Sequence, residues 1–142
     1  MSKWKFTKGL HDLGRGAYAY LQPSGTCGYS NAGLVIDGDQ ALLVDTLFDE
    51  RLTAEMLGTM GDATGFGADR IGVVVNTHSN GDHTFGNRLV KNAVIFASEA
   101  AAHEMREEGR PQVLAEMMKI PRRWARSAVS SSESSAPSTS PV

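Results

Sequence analysis

Ile71-Gly72-Val73-Val74-Val75 narrows the fold most, because small and β-branched apolar residues run without a polar break straight into Asn76-Thr77-His78-Ser79-Asn80-Gly81-Asp82-His83. A strand covered on both faces reads as such a run, since the side chains on either face must be buried. The predicted strand therefore lies inside a layered α/β structure. It delivers two imidazoles, a carboxylate and an amide into the turn at its carboxyl end.

The flanking segments agree. Gly16 to Leu21 alternates small and aromatic residues before Pro23-Ser24-Gly25, as a half-buried strand ending in a turn should. Ala32-Gly33-Leu34-Val35-Ile36 and Ala41-Leu42-Leu43-Val44 flank Asp37-Gly38-Asp39-Gln40, and Asp-Gly between two apolar runs predicts a hairpin. Leu52, Met56, Leu57 and Met60 fall at helical spacing within Asp49 to Met60. Val94-Ile95-Phe96-Ala97 repeats the buried-strand pattern, and Ser98 is placed to cap a helix over 99–108. Gly109 would end that helix and Pro111 open a last one through Lys119. The predicted order is β, β-hairpin, α, β, α, β, α, α.

After Ile120 the chain turns to Pro121-Arg122-Arg123 and then a serine-rich, proline-containing stretch with little apolar content. Such a composition cannot build a core. Residues 1–120 are expected to form one domain and 121–142 a disordered tail.

Composition excludes several classes of function. At 142 residues with a net charge of −2, the chain has length for a real core but lacks the basic stripe of a nucleic-acid binder. The single cysteine, Cys27, cannot form an internal disulfide, and Met1 to Phe6 lacks the apolar stretch of a signal peptide. No run approaches the roughly 18 apolar residues that span a bilayer. A cytoplasmic protein with no membrane or nucleic-acid partner is the expectation. No partner for a triad accompanies Cys27, so it is read as a buried or incidental thiol.

The segment after Val75 has the chemistry of a metal site. Zinc takes neutral imidazole nitrogen and carboxylate oxygen, usually four donors in all. His78, Asp82 and His83 supply three, and Asn80 adds only a neutral amide oxygen. In extended backbone residues 78 and 80 point the same way, while Gly81 permits a turn that swings Asp82 and His83 around. The bland alternative is a turn at Asn80-Gly81, with Asp82 complementing a helix that begins near Thr84 and both histidines in solvent.

Asp45 ends the run Leu42-Leu43-Val44-Asp45-Thr46, and about thirty residues later comes Asn76-Thr77-His78-Ser79-Asn80-Gly81-Asp82-His83-Thr84-Phe85-Gly86-Asn87. Together these resemble the first two motifs of the metallo-β-lactamase-fold superfamily, whose second motif reads Thr-His-x-His-x-Asp-His. The likeness covers about Gly16 to Lys119. It implies an α/β (α+β) class: part of an αββα sandwich, with one mixed or antiparallel sheet and helices on one face. By that resemblance His78 would ligate a first metal, Asp82 and His83 a second, and Asp45 would stand behind them and orient the loop. An Asp after a strand also caps the following turn, so Asp45 has a second reading. Asn80 replaces a first-metal histidine, although Asn-Gly-Asp-His followed by Gly86-Asn87 resembles a variant of the motif within the superfamily. The cofactor implied is zinc, one or two ions, with iron as the other choice.

The same resemblance implies a hydrolase in which a metal-activated water attacks an ester, thioester, lactam or phosphoester of a small-molecule substrate. Asp82 is the residue expected to be catalytic, holding the water as well as the metal. The family's later ligands lie well downstream of the second motif, and His103, within charged residues of its helix, does not replace them. The expectation is thus a truncated amino-terminal half, its tail arising from a reading-frame change or an early end. The competing reading is a non-catalytic interaction module that pairs as a homo-oligomer through an uncovered face of the Val35/Val44/Val74/Ile95 sheet.

Overall fold

The computed structural model describes residues 6–23 and 28–107. Its elements in order are β1 (Gly9–Gly14), β2 (Ala17–Leu21), β3 (Ala32–Asp37), β4 (Gln40–Val44), α1 (Glu50–Thr64), β5 (Val73–Val75), α2 (Gly81–Thr84), a 3-10 turn at Asn87–Leu89, β6 (Val94–Phe96) and α3 (Glu99–Glu107). The strands form one mixed sheet in chain order, antiparallel from β1 to β4 and parallel from β4 to β6. A hairpin suffices between antiparallel neighbours, but parallel strands need a crossover, which α1 provides between β4 and β5. Contacts divide the chain into a unit Met1–Ala102 and a unit His103–Val142, of which only 103–107 are described.

Register assigns every side chain to a face. Leu34 opposes Leu43, Leu43 opposes Val74, and all three are fully buried in a core with Leu52, Met56 and Met60 of α1. Burying each such side chain contributes about 1.5–3 kcal/mol, so this layer dominates stability. The carboxylate of Asp49 accepts the backbone N–H of Leu52 at 2.6 Å and starts α1; the helix runs on through Thr64 to a left-handed Gly65. It is thus longer than the segment ending at Met60 that the sequence predicts. The reason is that Ala63 and Thr64 remain helical until glycine supplies the cap.

On the other face lie Val35, Leu42, Val44, Val73, Val75, Val94 and Phe96, paired in register across four strands. Val35 is 44%, Val94 61% and Phe96 55% exposed. The grouping of Val35, Val44, Val74 and Ile95 on one face is therefore incorrect: a strand alternates, so Val74 and Ile95 point opposite to Val35 and Val44. Strand β6 is likewise not buried as its apolar run suggests, because it forms the end of the sheet and all three of its residues are exposed.

Strand β1, with Gly at both ends and His11 and Asp12 inside, carries no alternation that the sequence reading could use. Ser98 does cap α3, its hydroxyl accepting the N–H of Ala101 at 3.2 Å. The helix predicted over Pro111 to Lys119, the boundary near residue 120, the 121–142 tail and Cys27 lie outside the described residues. Among those described, no helix is long and apolar enough to cross a membrane.

Candidate metal site

Because β4 and β5 are parallel, their carboxyl ends emerge at one edge of the sheet, where α/β proteins place their ligands. Asp45 follows the first strand and Asn76 to His83 follow the second. Asp45 leaves β4 in a left-handed conformation, φ 62°, that Asp tolerates better than most residues. Its N–H is kept by the carbonyl of Val75 at 2.9 Å, and its carboxylate, 5% exposed, turns toward the loop.

That carboxylate organises both histidines. Oδ1 accepts the backbone N–H of Thr77 at 2.8 Å, and Oδ2 accepts the Thr77 hydroxyl at 2.7 Å and lies 3.0 Å from His83 Nδ1. A carboxylate only accepts, so Nδ1 of His83 is assigned the proton and Nε2 the lone pair. A hydroxyl has one proton, and that of Thr77 is given to Asp45. Its oxygen therefore accepts from His78 Nδ1 at 2.8 Å, which leaves the Nε2 of His78 with a lone pair too.

The two rings sit 4.2 Å apart, and His83 Nε2 lies 3.7 Å from Asp82 Oδ2. Asp45, His78 and His83 each bring a donor atom within 4.8 Å of the others. Of the two carboxylates, Asp45 already accepts three hydrogen bonds and is nearly sealed, whereas Asp82 is 30% exposed beside the Nε2 of His83. The donor set fits a cation that takes imidazole nitrogen and carboxylate oxygen.

Close approach explains the two glycines of the segment. A Cβ on Gly81 would meet the Phe85 ring at 2.3 Å, and one on Gly86 would lie 2.0 Å from Thr53 Oγ1. Glycine lets the start of α2 settle against Phe85 and the 3-10 turn against α1 at these points. The hydroxyl of Ser30, in the β2–β3 connection, donates to the carbonyl of Asp82 and ties that connection to the segment.

Asn80 is exposed at the start of α2, makes no side-chain cap, and contributes its carbonyl to the N–H of His83 at 2.9 Å. The helix predicted from Thr84 begins earlier, at Gly81, so that Asp82 and His83 lie on it. His103 is exposed on α3. Thr77 was missed as an organiser: it stands between Asn76 and His78 in sequence, but only its contact with Asp45 reveals the role.

The family model of the metallo-beta-lactamase superfamily matches residues 25–136. The chain belongs to that superfamily. Among solved structures it is similar to the metallo-beta-lactamase from Hirschia baltica, 23% identical with a TM-score of 0.58 over 72% of this chain and 49% of that one. It is also similar to the metallo-beta-lactamase FIM-1 from Pseudomonas aeruginosa in its mono-zinc form, 21% identical with a TM-score of 0.56 over 74% and 49%. A third, the metallo-beta-lactamase from Erythrobacter litoralis, is 24% identical with a TM-score of 0.57 over 70% and 45%. The chain spans about half the length of these structures, and at such identities they share its fold alone. No curated protein matches the chain.

Proposed function

We propose that this chain carries the amino-terminal metal-binding half of a metal-dependent hydrolase, with His78, Asp82 and His83 as its ligands. The observation that supports this reading most is that both imidazoles have Nδ1 engaged, His78 by Thr77 and His83 by Asp45, so that each keeps Nε2 for a cation. Histidines that bind metals usually donate their other ring N–H to a neighbour in this way. Asp45 orients the pair and Asp82 completes the set. Zinc or iron bound there supplies Lewis acidity, lowering the pKa of a water toward about 7 and polarising a substrate oxygen.

The residues of the chain do the rest. Asp82, partly open to solvent, is placed to hold a water and accept its proton as it attacks an ester, thioester, lactam or phosphoester carbonyl or phosphoryl centre. Asp45 keeps His83 in one tautomer throughout, and Thr77 does so for His78. Turnover is expected only when further ligands, beyond the half of the fold seen here, join these three.

Metal content of the purified protein tests the assignment. Zinc or iron should fall sharply in Asp82→Ala and His83→Ala, and unchanged metal in both variants would sink it. A second reading, self-association of a non-catalytic module, is favoured by the exposed Val35, Val94 and Phe96 on one sheet face. Sedimentation that shows a monomer at all concentrations excludes it.

A further inference from the structure

We propose that Thr46, Asn76 and Asn87 are positioning residues that hold His83 by its carbonyl and thereby fix its imidazole against Asp45. The observations lie behind the metal-binding side chains. The carbonyl of His83 accepts from Thr46 N at 2.9 Å and from Asn76 Nδ2 at 3.0 Å, with the Thr46 hydroxyl oxygen 3.2 Å away. The bonds continue as a closed relay. The one proton of Thr46 Oγ1 goes to its nearer acceptor, Asn87 Oδ1 at 2.9 Å, and Asn87 Nδ2 donates to Asn76 Oδ1 at 2.6 Å. Thr46 is fully buried and Asn76 is 3% exposed.

Each member of the relay is chemically constrained. Both amides donate and accept at once, which neither a carboxylate nor an apolar residue can do. An apolar cluster of the same shape would serve stability about as well, so a buried polar relay at this place calls for a reason beyond folding. The reason is the shortness of α2. A helix of four residues has almost no hydrogen bonds of its own and cannot set its own orientation. The relay gathers the ends of β4 and β5, the 3-10 turn and α2 onto one carbonyl. That peptide group sets the Cα–Cβ direction of His83, and so the 3.0 Å contact of its Nδ1 with Asp45.

The consequence for metal binding rests on the reading of His83 as a ligand; the effect on the ring does not. Thr46→Val removes the hydroxyl while keeping shape, Thr46→Ser keeps it, and Asn87→Ala cuts the relay at a half-buried site. Nitrogen-15 spectra of the histidine rings in the metal-free full chain at alkaline pH report the tautomer. The wild type and Thr46→Ser should show His83 with Nδ1–H alone, and Thr46→Val and Asn87→Ala a mixture. Cobalt(II) titration by absorbance should then show affinity about 10–100-fold weaker in Thr46→Val and Asn87→Ala, with Thr46→Ser near wild type. If Thr46→Val is unfolded by circular dichroism, Asn87→Ala decides. Folded relay variants that keep the pure Nδ1–H tautomer overturn the proposal. A wild type with that tautomer but no cobalt binding overturns the metal reading instead, and the relay stands.

Discussion

The two faces of the sheet are made of the same residue types and end in opposite states. Leu34, Leu43 and Val74 are completely buried under α1, while Val35, Val94 and Phe96, a register step away, stand 44 to 61% exposed. The difference teaches that apolar patterning specifies a surface to be covered, not the cover. Between the faces, at the carboxyl edge of β4 and β5, the polar segment is held by local bonds among Asp45, Thr46, Asn76, Thr77, His83 and Asn87. That edge is thus fixed by its own contacts, whatever lies against the exposed face.

The contrast should break most visibly in the helix-covered layer. Leu43→Ala leaves a cavity beneath α1 and should lower stability by about 2–5 kcal/mol in a urea melt, whereas Val35→Ala on the other face should stay within about 0.5 kcal/mol. Equal losses would mean that both faces are covered in solution. Gly86→Ala drives a methyl group into Thr53 and should cost about 1–3 kcal/mol, felt where the 3-10 turn meets α1. Replacing Asp49 by Ala removes the α1 cap and should cost about 0.5–2 kcal/mol, read as a lower Tm.

The smallest effect is expected at the exposed pair of Lys8 and Glu55, which ties the chain before β1 to α1. The hydrogen bond between them lowers the pKa of Glu55 and raises that of Lys8. Glu55 therefore contributes stability above its unfolded pKa that is lost as pH falls through the folded value. Lys8 contributes below its unfolded pKa, and that part is lost as pH rises through its folded value. Exposed pairs are worth little, so Glu55→Gln should only slightly flatten the acid limb of the Tm profile.

Much of this was legible in the sequence, for physical reasons. The hairpin follows from Asp37-Gly38 between two apolar runs, and Met56 and Met60 fall on the buried face of α1 because helical spacing put them there. His78 and His83, which the fold brings together with Asp45, stood out in the sequence because imidazole donor chemistry is written in the residue type. What could not be read depends on partners distant in sequence. Strand β1 shows its identity only by pairing with β2, and the relay of Thr46 with Asn87 crosses 41 positions. The exposure of β6 reflects its place at the end of the sheet, which an apolar run does not reveal.

The central claim, the one proposed above, is that His78 and His83 keep their Nε2 atoms for metal at this edge. X-ray absorption at the zinc edge of the zinc-loaded protein tests it directly. The account predicts a first shell of nitrogen and oxygen at about 2.0–2.1 Å with the multiple scattering of two imidazoles. A shell without imidazole scattering, or one with sulfur at about 2.3 Å, would contradict it.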